Sequence, residues 1–210
     1  HANGKIFSEG YFIDGKKEGQ WFEHYDNDTL ASMGVYVNGK PDGLWTDYYP
    51  NGKITAQGYY VDGMKDGLWK SYHDNGKVSM EGNFVQGYKD GPWKVYFETG
   101  RMNLEGSYVM GDEEGFWKEY HRNGKIESEG VYVKGLEEGV WKNYWSNGIL
   151  MSEETYAAGK LMSISDITSM RGSKLNKGSF KDGNGILKSY HSNDKLASEG
   201  SFKNGLPDGK

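Results

Sequence analysis

The amino-acid sequence predicts an all-β protein: an elongated antiparallel meander of stacked β-hairpins built on a 24-residue repeat. Three observations carry this prediction. Trp21, Trp45, Trp69, Trp93, Trp117 and Trp141 recur every 24 residues without a slip. Asn-Gly recurs in the same frame, at Asn51-Gly52, Asn75-Gly76, Asn123-Gly124 and Asn147-Gly148, with Asn3-Gly4 in register. Gly supplies 32 of 210 residues and Pro only four, so the glycine excess marks turns rather than disorder. A fixed period means stacked copies of one supersecondary unit, and Asn-Gly between strand-like runs is the strongest short hairpin signal.

The first strand of a repeat, as in "GLWTDYY" from Gly43, leads into a two-residue Asn-Gly turn with both residues at positive φ. Pairing then follows: Trp45 faces Gly58, Thr46 faces Gln57 and Tyr49 faces Ile54. The same register sets Lys70 against Glu81, Lys94 against Glu105, Lys118 against Glu129 and Lys142 against Glu153. Where the first position is Phe22 or Thr46, its partner is Met33 or Gln57. Such internal co-variation is what a cross-strand pair shows.

In the second strand, each Trp meets a Gly that its ring can cover: Trp45 with Gly58, Trp69 with Gly82, Trp93 with Gly106 and Trp117 with Gly130. A ring laid over bare backbone compensates for the missing side chain. The next connection, "DGMKDG" from Asp62, is a glycine-bracketed turn that sets Tyr60 opposite Trp69. Alternation puts Trp45, Tyr49, Ile54, Ala56, Gly58 and Tyr60 on one face, which forms the core. Leu44, Thr46, Tyr48, Gln57 and Val61 lie on the other, solvent-facing side. Two strands per repeat, at about 4.8 Å each, give a sheet roughly 80 Å long.

The domain reading is a single repeat array over 1–210. Regular repeats run over 1–159, a degenerate repeat over 160–177, and resumed repeats over 178–210. "DGNG" from Asp182 is two residues shorter than its counterparts, a deletion that keeps every side chain on its face. Both ends fall mid-repeat, which reads as a fragment of a longer protein or as one whose caps are missing, and open strand edges invite end-to-end self-association.

Composition bounds the chemistry. Hydrophobic residues make up 35% and aromatics 15%, so burial rests on Trp and Tyr rather than aliphatic side chains. A net charge of −5 argues against nucleic acid, which needs a dense basic stripe. No apolar run reaches the length of a membrane span, so any membrane contact is peripheral. The absence of Cys excludes disulfides and thiolate metal sites.

His73, His121 and His191 share a column with Tyr25, Tyr49, Phe97 and Trp145 and read as packed imidazoles too far apart to share a metal. The acidic column Glu18, Asp42, Asp66, Asp90, Glu114, Glu138 and Asp208 precedes a glycine in each second connection and reads as turn chemistry. Ser163, Ser165, Asp166, Thr168 and Ser169 cluster without a histidine to activate a nucleophile. Gly183 and Gly185 lack the context of a dinucleotide fingerprint. The expectation is no enzyme: no catalytic residue, metal or cofactor.

The unit G-x-W-x-x-Y-x-x-N-G-K-x-x-x-E-G-x-Y-x-x-G resembles the MORN-repeat variant of bacterial YwqK-type antitoxin proteins. The likeness runs over nearly the whole chain, faintly over 160–177, and rests on the Trp, Asn-Gly and Glu-Gly positions. The resemblance implies stacked hairpins, no catalysis and, in some members, neutralisation of a co-encoded toxin by direct binding. Other members are envelope or secreted proteins, and related repeats are linked to lipid binding or self-association. A bacterial cytoplasmic location, or a periplasmic or surface one after removal of a signal peptide, stays open.

The leading expectation is therefore a non-enzymatic bacterial scaffold that binds another protein, a toxin among the candidates. Tyr72, Tyr96 and Tyr120 would anchor the partner, with Lys94, Lys118, Glu105 and Glu129 setting its register. The bland alternative is that these residues keep a single sheet soluble. The rival functions are an envelope module binding glycan or lipid headgroups and a structural self-assembly array.

Overall fold

The computed structural model describes residues 4–209, among which there are strands and turns and no helix. β1 (Ser8–Ile13), β2 (Lys16–His24), β3 (Leu30–Val37), β4 (Lys40–Tyr48), β5 (Ile54–Val61), β6 (Met64–Tyr72) and β7 (Val78–Val85) come first. β8 (Tyr88–Tyr96), β9 (Met102–Val109), β10 (Asp112–Tyr120), β11 (Ile126–Val133), β12 (Leu136–Tyr144), β13 (Leu150–Ala157) and β14 (Lys160–Ile164) follow. All 14 lie in one antiparallel sheet in chain order, the meander that the repeat predicts. The chain divides into two compact units. The first runs up to Arg101 and includes Tyr108–Gly111; the second takes Met102–Ser107 and the chain from Asp112 onward. The expected Asn3-Gly4 turn depends on Asn3, which lies outside the described residues.

The predicted pairs Trp45–Gly58, Thr46–Gln57, Lys70–Glu81 and Lys118–Glu129 are all present. The Asn-Gly turn is not the expected two-residue one. Gly52 donates its N–H to the Tyr49 carbonyl at 2.8 Å, and Tyr49 donates to the Lys53 carbonyl at 2.7 Å. Of the pair only Gly52 has positive φ, at 80°. The loop is thus Pro50-Asn51-Gly52, a type I turn closed by a left-handed glycine. Asn51 stays out of the left-handed region while its Oδ1 accepts the Lys53 N–H at 3.0 Å, the local bond that short polar side chains favour. The extra loop residue shifts the register, so Tyr48, not Tyr49, faces Ile54.

The two-residue turn occurs at the other connection. Asp62 and Gly63 both have positive φ, 52° and 86°, between the paired Val61 and Met64. Equivalent turns place Gln86, Met110, Lys134 and Ala158 at φ near 50°. Non-glycine residues there cost on the order of 1–3 kcal/mol. Tertiary hydrogen bonds offset this: the Asp62 N–H donates to Asp42 Oδ2 at 3.2 Å and the Gly63 N–H to the Pro41 carbonyl at 2.9 Å. Each turn therefore rests on the hairpin before it.

Beyond this turn, β5 and β6 pair Tyr59 with Asp66 and Gln57 with Lys70, and a bulge at Gly67-Leu68 takes up the difference. Tyr60 consequently faces Lys65 rather than Trp69. Its ring still meets the Trp69 indole edge-on, with centroids 5.2 Å apart.

The tryptophans cover glycines, but not the expected ones. A Cβ on Gly58 would lie 2.2 Å from the Trp69 ring, one on Gly82 2.0 Å from Trp93, and one on Gly34 1.8 Å from Trp45. Gly106 and Gly130 lie likewise under Trp117 and Trp141. Each indole thus covers the glycine of the preceding hairpin. The register makes Gly82 a neighbour of both Trp69 and Trp93, so strand pairing alone does not say which ring lands on it.

In the first unit these indoles alternate with Phe12, Tyr36, Tyr60, Phe84 and Tyr108 in an edge-to-face ladder with centroid spacings of 5.0 to 6.2 Å. The second unit continues the pattern with Trp117, Tyr132 and Trp141. Each such contact adds about 0.5–1.5 kcal/mol beyond area burial. A sheet poor in aliphatic residues thereby gains its core.

Past β14 come the short strands β15 (Ile167–Thr168) and β16 (Lys174–Leu175), then a sheet of β17 (Gly185–Tyr190), β18 (Leu196–Lys203) and β19 (Leu206–Pro207). Leu161, Ile164, Ile167 and Phe180 form an apolar cluster with Met151, Tyr156, Leu187 and Phe202 packed on it. The first-turn geometry persists over 169–173. Gly172 donates to the Ser169 carbonyl, Ser169 donates to the Ser173 carbonyl, and the buried Ser169 hydroxyl accepts from Arg171 and Ser173. After the shortened turn, Asn184 Oδ1 accepts the Asn204 N–H at 3.1 Å, as Asp42 does for Asp62.

Candidate binding face

The face opposite the indoles carries the expected tyrosine, lysine and glutamate rows, and the structure ties them together. The Tyr96 hydroxyl donates to Glu81 Oε1 at 2.8 Å, Tyr120 to Glu105 at 2.6 Å and Tyr144 to Glu129 at 2.9 Å. Lys70 pairs with Glu81 at 3.4 Å and Lys142 with Glu153 at 3.9 Å. Glu81 thus receives a tyrosine from the next hairpin as well as a lysine across its own. The hydrogen bond from Tyr96 holds the Glu81 carboxyl below its usual range, with Lys70 and Lys94 adding to this and burial opposing it. Burial, then Glu105, pushes the Tyr120 phenol up to about 12, and burial, then Glu129, does the same for Tyr144.

The sequence-derived anchors are therefore half-buried and held rather than free. Tyr96 and Tyr120 are engaged at their hydroxyls. The half-buried Tyr72 lends its carbonyl to the Tyr49 hydroxyl at 2.8 Å. Lys94 lines a groove of about 180 Å³ with Leu68, Glu81, Asn83 and Pro92. Lys118 faces Glu129 in the ladder, and its ammonium lies 5.5 Å from the Phe116 ring centroid.

Beside these rows the structure exposes apolar side chains that the sequence reading left unremarked as a surface. In the first unit Tyr59, Leu68 and Tyr88 are each more than half exposed, and Leu44, Val61 and Met64 nearly so or more. In the second unit Phe116 and Val140 are more than half exposed. Leu44, Leu68, Pro92, Phe116 and Val140 all immediately precede a Trp. That recurrence of apolar residues at outward positions was the available signal.

The other recurrent polar residues are rungs between repeats. The Tyr25 and Tyr49 hydroxyls donate to the Tyr48 and Tyr72 carbonyls, and the ring Nε2 of His73 and His121 meets the Tyr96 and Tyr144 carbonyls at 2.9 and 2.8 Å. A carbonyl only accepts, so that nitrogen carries the hydrogen. The acidic column serves the turns: Glu18, Asp42, Asp66, Asp90, Glu114 and Glu138 each accept the first N–H of the next two-residue turn. Asn75 and Asn123 bridge their own loop to the next repeat's carbonyl. In the hydroxyl cluster, Ser165 accepts the Glu153 N–H and Asp166 pairs with Lys174 at 2.7 Å. No group of three or more His, Asp and Glu residues converges to hold a metal among the described residues.

The family model of the MORN repeat variant matches residues 41–62, 65–86, 89–110, 113–134, 137–158 and 183–204. These segments make up more than half of the chain. The chain belongs to the MORN repeat variant family. Each matched MORN segment begins at the residue before the acidic column or its Asn184 counterpart and ends on the first residue of the following two-residue turn, and the first five contain an indole. The match passes over 159–182, where the apolar cluster around Phe180 takes the place of the indoles. No curated protein matches the chain. The MORN repeats make this a repeat-based scaffold suited to binding.

Proposed function

We propose that this chain is a non-enzymatic scaffold that holds another protein on the face bearing the tyrosine–glutamate–lysine rows. The observation that carries the reading is the row of exposed apolar side chains, Tyr59, Leu68 and Tyr88 foremost, beside aromatics already fixed by hydrogen bonds. Interfaces favour such a combination, because pinned aromatics lose little rotamer freedom on binding and exposed apolar area gains from burial. The polar rows then supply register rather than most of the affinity. The finer form of this proposal is an antitoxin or immunity protein that neutralises a toxin by direct binding, and its support is the resemblance to YwqK-type proteins.

The test is capture from the source cells with the wild-type chain and with Leu68→Glu/Tyr88→Glu, whose exposed positions leave the fold intact. The scaffold reading expects a stoichiometric partner that the variant loses. Equal recovery by both chains, or no partner for either, contradicts it. Relief of growth arrest by a neighbouring gene's product, given by the wild type and not the variant, is the result expected of an antitoxin. No relief by the wild type removes that finer form.

A further inference from the structure

The indole face differs in charge between the two units, and the difference falls at one position of the repeat. In the first unit this position is Lys17, Lys65 and Lys89 in three of four repeats. Each ammonium sits over the ladder: Lys17 lies 4.3 Å from Trp21 and 4.7 Å from Tyr36, Lys65 4.0 Å from Trp69, and Lys89 4.7 Å from Trp93 and 4.4 Å from Tyr108. The lysines also answer the carboxylates of the same face, with Lys17 3.7 Å from Glu23 and Lys65 acting on Asp47. In this half of the chain, then, a cation fills the gap between successive rungs.

In the second unit the same position is Glu113 and Glu137. The rungs are unchanged, Trp117 against Tyr132 at 5.9 Å and Tyr132 against Trp141 at 4.9 Å. Glu137 pairs with Tyr132 across the strands. Glu119 comes from the other side, on the indole face, where it accepts the Ser128 hydroxyl at 3.1 Å. The charges that act on the Tyr132 phenol are the carboxylates of Glu137, Glu119 and Glu113. Further along, Glu154 pairs with Trp141 and accepts the Tyr156 hydroxyl at 2.9 Å. Tyr132 is the open rung, half-buried where both indoles are buried. The second unit thus repeats the aromatic seat while replacing its built-in cation with carboxylates.

We propose that the rung face of the second unit, Trp117–Tyr132–Trp141 with Glu113, Glu119 and Glu137, docks a basic segment of a partner protein, which seats a lysine or arginine where the first unit seats its own lysines. Aromatic faces attract a cation most strongly when it is drawn partly out of water, and the glutamates supply the opposite charge that steers it there. This goes beyond the binding face proposed above. It lies on the other side of the sheet and stands or falls independently of it.

The experiment is calorimetric titration of the full chain with pentalysine at low salt, alongside ¹⁹F spectra of 5-fluorotryptophan-labelled protein. Wild type should bind pentalysine and ignore its fully acetylated form. Glu113→Lys/Glu137→Lys fills the seat as Lys65 and Lys89 do, and should weaken binding by about tenfold or more. Asp74→Lys/Glu98→Lys makes the same change in net charge on exposed turns and should leave affinity unchanged. The Trp117 and Trp141 resonances should move on titration while those of Trp69 and Trp93 stay fixed. No binding by the wild type, equal loss in both lysine variants, or a uniform shift of all tryptophans would each overturn the proposal.

Discussion

Trp69 lies flat on Gly58: a Cβ at that glycine would fall 2.2 Å from the indole. The contact joins one hairpin to the next, and its equivalents recur along both units. Scaffold stability in this protein rests on a chain of such contacts rather than on one shared core.

Gly58→Ala should therefore destabilise the protein by about 1–3 kcal/mol, the cost of forcing a methyl into a filled position. Gly200→Ala is the control, because a Cβ there meets nothing within 4 Å. It should be neutral or stabilising by up to about 1 kcal/mol. Urea unfolding midpoints of the two variants check the pair.

The acceptor at Asp66 should matter through its oxygen more than its charge. It takes the N–H of Gln86, a non-glycine residue at φ 49°. Asp66→Ala should cost about 1 kcal/mol. Asp66→Asn should cost less, since Asn184 holds the Asn204 N–H in the same way. Melting temperatures should rank wild type first, then Asn, then Ala.

The repeat was legible in the strand register and not in the details that side chains decide. Period and co-variation fixed the pairing of Lys70 with Glu81 and of Trp45 with Gly58, because alternation leaves no other arrangement with one face apolar. The loop at Asn51-Gly52 gained a residue because Asn51 satisfies the Lys53 N–H without entering the left-handed region. The two-residue turns went to Gln86, Met110 and Lys134, residues with no turn preference of their own, held by hydrogen bonds from another repeat. Of the candidate face, the tyrosine, lysine and glutamate rows were legible. Their mutual hydrogen bonds were not, because Tyr96 reaches Glu81 diagonally rather than across a pair. Alternation already put Leu44 on the outer side, but one outward apolar residue is ordinary, and only its recurrence as Leu68, Phe116 and Val140 marks a row.

Acid and alkali should each weaken the outer rows, acid through Glu81 and alkali through Tyr120 and Tyr144. The hydrogen bond from Tyr96 holds the folded-state pKa of Glu81 below the ordinary carboxylate value. Its contribution to stability is complete above the unfolded value and is lost as pH falls through the lower, folded value. Tyr96→Phe removes the largest cause, so its stability should differ from wild type less at pH 3 than at pH 7. Tyr120 and Tyr144 are raised from 10.0 to about 12. Their contribution is complete below 10 and is lost as pH rises through about 12. Phenolate absorbance should show these two tyrosines ionising above the ordinary phenol range. Glu105→Gln should leave Tyr120 above its ordinary value, since burial is the larger cause.

His73 and His121 should be replaceable by other ring donors. His73→Trp and His73→Tyr keep a hydrogen for the Tyr96 carbonyl, as Trp145 and Tyr49 do at the same position of their repeats. His73→Leu should cost about 1–2 kcal/mol more than either, through the unmet carbonyl and the lost ring. Thermal unfolding of the three variants tests this.

Site-specific photo-crosslinking in the source cells tests the central claim most directly. A photoreactive phenylalanine is placed in turn at Leu68, at Tyr88 and, as the control, at Asp74 in an exposed turn. The scaffold account predicts one discrete protein adduct from Leu68 and Tyr88 and none from Asp74. No adduct from the apolar row, or the same adduct from all three positions, would contradict it.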